Sequence, residues 1–182
     1  MLSQDTSDVV AMQRARGTVS VFTFKDGLLA RAAHDLALRC DGCEVTLDGE
    51  AVSAMVPLRA LTVVGPVDGG VARAELYDDR QRREIEDTMR DEILHLDRYP
   101  EARFEGRAVA RAGDGDGFDV GGELALAGRR APLRFAVMRD GERYRASFDI
   151  QPTRWGIAPY KALLGAIKLK DVVRIELDVG AR

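Results

Sequence analysis

The chain has 182 residues, with 27 basic and 30 acidic side chains and a formal net charge of −3. Apolar residues make up 46% of the chain, which is enough for one folded domain rather than a disordered segment. The balanced charge excludes a general binder of nucleic acids or anionic membranes, because such proteins need a basic excess on at least one face. The longest mainly apolar run, Ala51 to Leu58, is too short to cross a bilayer.

The N-terminal residues are charged and lack a long apolar stretch; they include Asp5, Asp8, Arg14 and Arg16. This composition differs from that of a secretory signal, and we therefore expect a cytoplasmic protein. We divide the chain into an N-terminal extension, residues 1–15, and one domain, residues 16–182.

The first hairpin signal is Asp41-Gly42, which lies between two runs of alternating apolar and polar residues. A two-residue turn at this point would set Cys40 opposite Cys43 and Leu36 opposite Leu47. One face of the pair would then be apolar and the other charged. The sequence therefore predicts a β-hairpin that turns at these two residues.

An apolar stripe at helical spacing precedes Pro100, and its members are Ile85, Met89, Ile93 and Leu96. The intervals of four, four and three residues place these side chains on one face of an α-helix. Asp78 or Asp79 would serve as its N-cap. We therefore predict one amphipathic helix between the strands.

Alternation with period two extends from Ala102 to Asp149 and is typical of antiparallel strands with one buried face. Asp140-Gly141 is predicted to be a second two-residue turn. Counting outward from that turn sets Arg139 opposite Glu142 and Leu133 opposite Phe148.

Two further elements are predicted near the C-terminus. Pro159 to Leu164, followed by Gly165, suits a short helical turn, and the alternation from Val173 to Val179 predicts a last strand. The chain thus contains at least six strands with a one-sided apolar face. Such strands need a second layer, which means a sandwich or a closed barrel, and alternation alone does not choose between them.

The predicted inward face combines aromatic side chains with unusually small ones, a mixture that would leave unfilled volume. The alternative is that the small residues make room for bulky neighbours or for a tight bend, and the sequence leaves both open. The small residues are Gly106, Ala108, Ala110, Gly122 and Ala146.

Five short motifs follow one another between residues 16 and 179. They are Lys25-Asp26-Gly27-Leu28, His34-Asp35-Leu36, Tyr99-Pro100-Glu101-Ala102-Arg103-Phe104, Gly122-Glu123-Leu124-Ala125-Leu126-Ala127-Gly128 and Trp155-Gly156-Ile157-Ala158-Pro159-Tyr160. Their order and spacing resemble the YceI-like family. The resemblance implies an all-β fold, mainly antiparallel with short helical insertions, in the form of a lipocalin-like eight-stranded up-and-down β-barrel. It also implies a binder, without catalytic residues, whose apolar interior holds a polyisoprenoid or isoprenoid-quinone chain.

Such an interior needs an apolar lining, because burial contributes on the order of 25 cal/mol per Å² removed from water. The resemblance and the predicted register together give a set of candidate ligand-binding residues, among which Trp155 and Tyr160 would form a mouth or lid. The alternative is that these residues are ordinary core. The set is Phe104, Ala108, Leu124, Leu126, Leu133, Phe135, Phe148, Ile150, Trp155, Tyr160, Val173 and Ile175.

A lysine cluster, Lys161, Lys168 and Lys170, follows Trp155. It would meet an anionic head group such as a phosphate, or it is simply solvated. We expect an apolar lipid as the ligand, with no other cofactor, no metal, no nucleic-acid partner and no stable membrane insertion. Edge strands of an incompletely closed barrel would allow a homodimer.

Cys40 and Cys43 have the C-x-x-C spacing of redox and zinc sites. No helix pattern follows the pair, and only His34 and His95 remain as further histidine ligands, so that both uses are disfavoured. We expect buried, reduced thiols and a structural role for His34. Two alternatives to lipid binding stay open: an interaction or stress-related module with a filled interior, and an enzyme that uses the two cysteines.

Overall fold

Antiparallel strands make up most of the computed structural model, which describes residues 13–26, 35–111, 116–162 and 167–181. The strands are β1 (Gln13–Asp26), β2 (Asp35–Asp48), β3 (Ala51–Pro57), β4 (Leu61–Asp68), β5 (Val71–Ala72), β6 (Glu101–Ala110), β7 (Gly117–Leu126), β8 (Arg129–Asp140), β9 (Arg143–Ile150), β10 (Lys161–Ala162) and β11 (Ile167–Ala181). The α-helix, α1 (Asp79–Thr88), continues into a π-helical turn, Met89–Ile93. His34 and Gly27-Leu28 of the family motifs lie outside the described residues.

Eight strands close into a ring in the order β1, β11, β9, β8, β7, β6, β3, β2, because β2 pairs back with β1. The structure is therefore a closed antiparallel β-barrel and not a sandwich, which was the other architecture that alternation allowed. Closure gives the ring strands a hydrogen-bonding neighbour on each side, so that their edges are protected. The predicted all-β, eight-stranded fold is confirmed.

On one of its edges, the long strand β2 pairs with two different strands in succession. Glu44 to Asp48 pair with β3, whereas Asp35 to Cys40 pair with β4. A short 3₁₀ turn, Leu58–Ala60, separates β3 from β4. Among the described pairings β6 joins β3 and not β4, and α1 lies against β4 instead. The helix thus covers β4, which pairs with β2 and lies outside the closed ring of eight strands.

The helix begins with a capping box at Asp78. Its carboxylate accepts a hydrogen bond from the Gln81 backbone N–H at 2.8 Å, and the Gln81 side-chain oxygen accepts one from the Asp78 N–H at 3.0 Å. Ile85, Met89 and Ile93 point from one face of this segment into the barrel. The predicted amphipathic helix is confirmed for Ile85, Met89 and Ile93, whereas Leu96 lies in a turn beyond the helical segment, because His95 leaves the helical conformation with a φ of +51°. We call residues Asp79–Ile93 the helical lid.

The predicted hairpin at Asp41-Gly42 is wrong, because β2 runs straight through these residues. Asp41 pairs with Thr18 and Cys43 with Gly17, which leaves Gly42 unpaired with a φ of +86°. This is a β-bulge that uses a left-handed glycine. A hairpin turn also favours a left-handed glycine, so that the dipeptide signals both structures. The predicted cross-strand pairs around it are wrong for the same reason.

The predicted hairpin between β8 and β9 exists, but its register differs. Asp140 pairs with Arg143 and Met138 with Arg145, so that the two loop residues are Gly141 and Glu142. Gly141, with a φ of +60°, takes the first loop position that type II′ turns reserve for glycine.

The predicted pairs of Arg139 with Glu142 and of Leu133 with Phe148 are therefore wrong. Each partner moves by two residues, which keeps every side chain on its predicted face.

The helical turn predicted over Pro159 to Leu164 is also wrong where the structure describes it. Lys161 and Ala162 form β10 and pair with Lys168 and Ile167 of β11, while residues 163–166 lie outside the described residues. The short helical turn comes earlier, at Pro152–Trp155, and ends at Gly156 with a φ of +78°. No helix in the described part of the chain is long and apolar enough to cross a membrane.

Candidate ligand-binding cavity

A cavity of about 780 Å³ lies inside the ring of strands. Every ring strand contributes apolar side chains to its lining, and the helical lid adds Ile85, Met89 and Ile93. Cavities of this size with a mostly apolar lining are typical of small-molecule sites. The barrel interior is therefore a candidate binding site.

Eleven of the twelve predicted ligand-binding residues line this cavity. The position of ten of them follows from the alternation, because a period of two sends every second side chain inward, whereas Tyr160 lies in the segment before β10. Contact with a ligand stays a prediction for each of them. The eleven are Phe104, Ala108, Leu124, Leu126, Leu133, Phe135, Phe148, Ile150, Tyr160, Val173 and Ile175.

Trp155 is the exception, because the structure places it behind the lining. Its side chain is 1% exposed and packs among Leu133, Ile150 and Ile157. The indole Nε1 donates a hydrogen bond to the Leu124 carbonyl at 2.7 Å. Trp155 thus anchors the turn that follows β9 against the barrel wall, whereas Tyr160 reaches the cavity.

Three phenylalanines form an aromatic group on one side of the interior. Phe135 and Phe148 stack with ring centroids 4.4 Å apart, and Phe104 meets Phe135 edge-on at 5.7 Å. Pairs of this geometry add roughly 0.5 to 1.5 kcal/mol beyond the area that they bury. They form an aromatic wall of the cavity that extends from β6 to β9.

Of the five small residues predicted to point inward, Ala110 is exposed at the end of β6 and does not line the cavity, and the other four divide between the two interpretations. A Cβ atom on Gly106 would lie 2.4 Å from the Gly121 carbonyl oxygen, and one on Gly122 would lie 2.2 Å from that of Glu105. Both would also come within 3 Å of the Phe104 ring. These two glycines therefore let strands and a ring approach closely, and they open no space. Ala108 and Ala146, by contrast, line the cavity.

Sequence reasoning missed the contributions of β1, β2 and the helical lid to the lining. Alternation was present in β1 and would have identified its inward residues. In β2 the incorrect hairpin concealed the same signal. The helix was recognised, but periodicity does not show which strand or cavity its apolar face covers. The missed residues include Val19, Val21, Thr23, Leu36, Leu38, Ile85, Met89 and Ile93.

Both cysteines are buried, free and part of the lining. The bulge at Gly42 is responsible, because residues three apart on a regular strand face opposite sides. Burial raises the pKa of Cys40 to about 11, with a further contribution from the Asp41 charge. Burial likewise raises the pKa of Cys43 to about 11, with smaller contributions from Cys40 and Glu44.

The two thiols are therefore protonated at neutral pH, which makes them poor nucleophiles and poor metal ligands. No group of three or more metal-ligating side chains occurs among the residues that the structure describes.

Polar and charged residues line the cavity from several elements. The helical lid contributes Gln81, Glu84 and Thr88, β11 contributes Lys170 and Asp171, and β1 and β9 contribute Gln13, Arg14 and Arg145. The Asp171 carboxylate accepts hydrogen bonds from the backbone N–H and the hydroxyl of Thr153, at 3.1 and 2.5 Å.

The predicted lysine cluster is divided by the structure. Lys161 lies along a separate exterior groove, and Lys168 approaches Asp26 at 3.9 Å. Of the three, Lys170 lines the cavity. The three lysines therefore do not lie together at one point of the interior.

A closed antiparallel ring of eight strands around an apolar cavity defines the class of β-barrels with an internal cavity. A family model described as a YceI-like domain matches residues 12–181. The chain belongs to the YceI-like family.

Solved structures share the fold at low sequence identity. BcnA of Burkholderia cenocepacia is 16% identical, with a TM-score of 0.61 over 91% of this chain and 96% of that chain. A polyisoprenoid binding domain from Saccharophagus degradans, implicated in plant cell wall breakdown, is 14% identical, with a TM-score of 0.59 over 94% of this chain and 99% of that chain.

A mutant YCEI protein of Campylobacter jejuni is 9% identical, with a TM-score of 0.53 over 89% of this chain and 81% of that chain. No curated protein matches the sequence. These similarities establish the fold.

Proposed function

We propose that this barrel binds a long apolar isoprenoid-type lipid, a polyisoprenoid or an isoprenoid quinone, and carries it without chemical change. The observation that carries the proposal is the apolar cavity of about 780 Å³, to which every strand of the ring contributes. The polyisoprenoid binding domain from Saccharophagus degradans has the same fold and supports this class of ligand.

The energetics of the cavity favour an occupant. Apolar surface removed from water contributes on the order of 25 cal/mol per Å², and the mostly apolar lining offers such burial to a long apolar chain. Water is a poor substitute, because a buried water needs two to four polar partners and this lining is mostly apolar. An apolar ligand therefore fits best, and a filled interior with a purely structural role is disfavoured.

The chemistry of the lining supports binding without catalysis. The two cysteines that would act as nucleophiles carry pKa values of about 11 and stay protonated. Asp171 is already engaged by Thr153 in two hydrogen bonds. The interior thus offers surface for burial rather than groups poised for proton transfer.

Saturable binding of tritiated geranylgeraniol to the purified chain tests the proposal. We expect one lipid per barrel, and competition by an isoprenoid quinone. Ala146→Trp fills the cavity and is expected to lower the affinity at least tenfold, whereas Ser147→Trp, on the neighbouring outward position, should leave the affinity unchanged. Absence of saturable binding in the unmodified chain would overturn the proposal.

A further inference from the structure

The strands β8 and β9 pair with each other along only part of their length. Their pairing starts beside the hairpin loop and ends at Met138 and Arg145. Both strands continue beyond this point, β8 along residues 131–137 and β9 along residues 146–150. In this part of the described chain no residue of one strand pairs with the other. We call this junction the β8–β9 seam.

Each of the two strands is paired on its other edge. β8 pairs with β7 from Arg129 to Met138, and β9 pairs with β11 from Arg143 to Ile150. The seam therefore lies between two continuous parts of the wall. Where strands are paired, opening a barrel breaks backbone hydrogen bonds and leaves polar groups beside an apolar interior. Opening the seam breaks none of these strand pairings.

Side-chain contacts keep the two strands side by side along the seam. Extending the hairpin register sets Phe135 opposite Phe148, and these rings stack inside the barrel with their centroids 4.4 Å apart. On the outside, the Arg154 guanidinium donates a hydrogen bond to the Pro132 carbonyl at 2.6 Å. Arg154 belongs to the turn that follows β9, so that this bond crosses the seam. The seam is thus closed by groups that can separate while the paired strands stay intact.

We propose that the lipid enters and leaves the barrel through the β8–β9 seam. This inference rests on the proposed lipid-binding function and names the route of the ligand. Leu133, Phe135 and Phe148 of the seam line the cavity, so that an opening here leads directly to the interior. Residues 146–150 span roughly 17 Å of strand, which is several times the width of an isoprenoid chain.

A reversible lock across the seam tests the inference. The extended register sets Ala136 opposite Ser147 on the outer face, where Ala136→Cys with Ser147→Cys forms a disulfide. Both changes are made in a Cys40→Ala, Cys43→Ala background. With the disulfide formed, exchange of bound tritiated geranylgeraniol for the unlabelled alcohol should slow at least tenfold, at unchanged equilibrium affinity. A reductant should restore the rate.

The matched control joins Ser147 to its other neighbour. Ser147 pairs with Glu176 of β11, so that Ser147→Cys with Glu176→Cys locks a junction that is already paired. This lock should leave the exchange rate unchanged. If the seam disulfide does not form on oxidation, a short bismaleimide that joins the same two thiols makes the same comparison.

The outer contact is tested separately by Arg154→Gln. Loss of its hydrogen bond to Pro132 should speed exchange about three- to tenfold, and the seam lock should abolish this gain. Arg134→Gln is the control, because Arg134 is an exposed residue of β8 that lies outside the cavity lining, and the exchange rate should stay the same.

The helical lid is the alternative route, since its Ile85, Met89 and Ile93 also border the cavity. Exchange past the lid would be as fast with the seam locked as with the seam reduced, and this result would overturn the inference while leaving lipid binding in place. If the unmodified chain does not bind geranylgeraniol, the proposed function and this inference fail together.

Discussion

The Glu86 carboxylate accepts a hydrogen bond from the backbone N–H of Val63, with 2.8 Å between Oε1 and N. Val63 lies in β4, and Glu86 belongs to the helical lid. Arg90 donates to the other carboxylate oxygen at 3.1 Å, and the Glu86 side chain is only 12% exposed. A helix side chain thus satisfies a strand N–H that no neighbouring strand pairs, and it holds the lid on the barrel.

Removal of this contact is expected to loosen the lid. Glu86→Ala leaves the Val63 N–H without its charged acceptor and should lower the free energy of unfolding by about 1 to 3 kcal/mol. Release of a bound lipid should become faster. Urea denaturation and stopped-flow exchange of the lipid measure the two effects.

Asp87→Ala is the control, because that side chain is 71% exposed and lies 3.9 Å from Arg90. We expect a change in stability below about 0.5 kcal/mol for this exposed pair. Comparable effects of the two variants would contradict a specific role for Glu86.

Trp155→Phe tests the position of the indole in the wall. The Leu124 carbonyl loses its donor, and we expect a loss of about 1 to 3 kcal/mol in unfolding free energy with little change in lipid affinity. Tyr160→Ala, which alters the lining itself, should weaken binding instead. A fall in affinity for Trp155→Phe that matches Tyr160→Ala would show that the indole touches the ligand.

Adjacent glycines on β7 should respond in opposite ways. Gly122→Ala brings a Cβ to 2.2 Å from the Glu105 carbonyl oxygen, and we expect destabilisation by about 2 kcal/mol or more. In Gly121→Ala the Cβ meets Arg134 at 3.5 Å, an ordinary contact, and lower entropy of the unfolded chain should make the change neutral or stabilising by up to about 1 kcal/mol. Thermal unfolding of both variants tests this prediction. Equal losses of stability would contradict the close approach of the two strands at Gly122.

The buried thiols predict a loss of stability at alkaline pH. Each folded thiol has a pKa of about 11, above the value of about 8.5 for an unfolded cysteine. The folded state therefore binds these protons more tightly. Their contribution is fully present below about pH 8.5 and is lost as the pH rises through about 11.

The unfolding free energy of the unmodified chain should fall by on the order of 6 kcal/mol more than that of a Cys40→Ala, Cys43→Ala double variant over this range, about 3 kcal/mol for each thiol. Other titrating groups contribute equally to both proteins and drop out of the comparison. Tyr77 is one of them, because burial also raises its pKa. Parallel pH profiles would show that the thiols are accessible. Thiol labelling at pH 8 should likewise be slow in the folded protein.

Periodicity predicted the faces of the strands better than their partners. Phe104, Leu133 and Ile175 point inward as expected, since alternation is a property of each strand alone. The β8–β9 register differed by two residues without moving a side chain to the other face. The pairing of β1 with both β2 and β11, which closes the barrel, joins distant segments and leaves no local signal.

The Asp-Gly dipeptides show where local reasoning fails. Gly42, Gly49 and Gly141 all have positive φ, yet the first forms a bulge within β2 and the other two form hairpin loops. The difference lies in strand pairing. β1 pairs with the residue before Gly42 and with the residue after it, so that β2 continues through the bulge. The burial of Trp155 was equally unpredictable, because its indole is held by a carbonyl of β7.

Native mass spectrometry of the protein purified without detergent, followed by organic extraction, tests whether the cavity binds a lipid. We expect one apolar molecule per chain, either retained from the host or acquired on incubation with isoprenoid alcohols or quinones. A bare protein mass under both conditions would contradict lipid binding in the cavity.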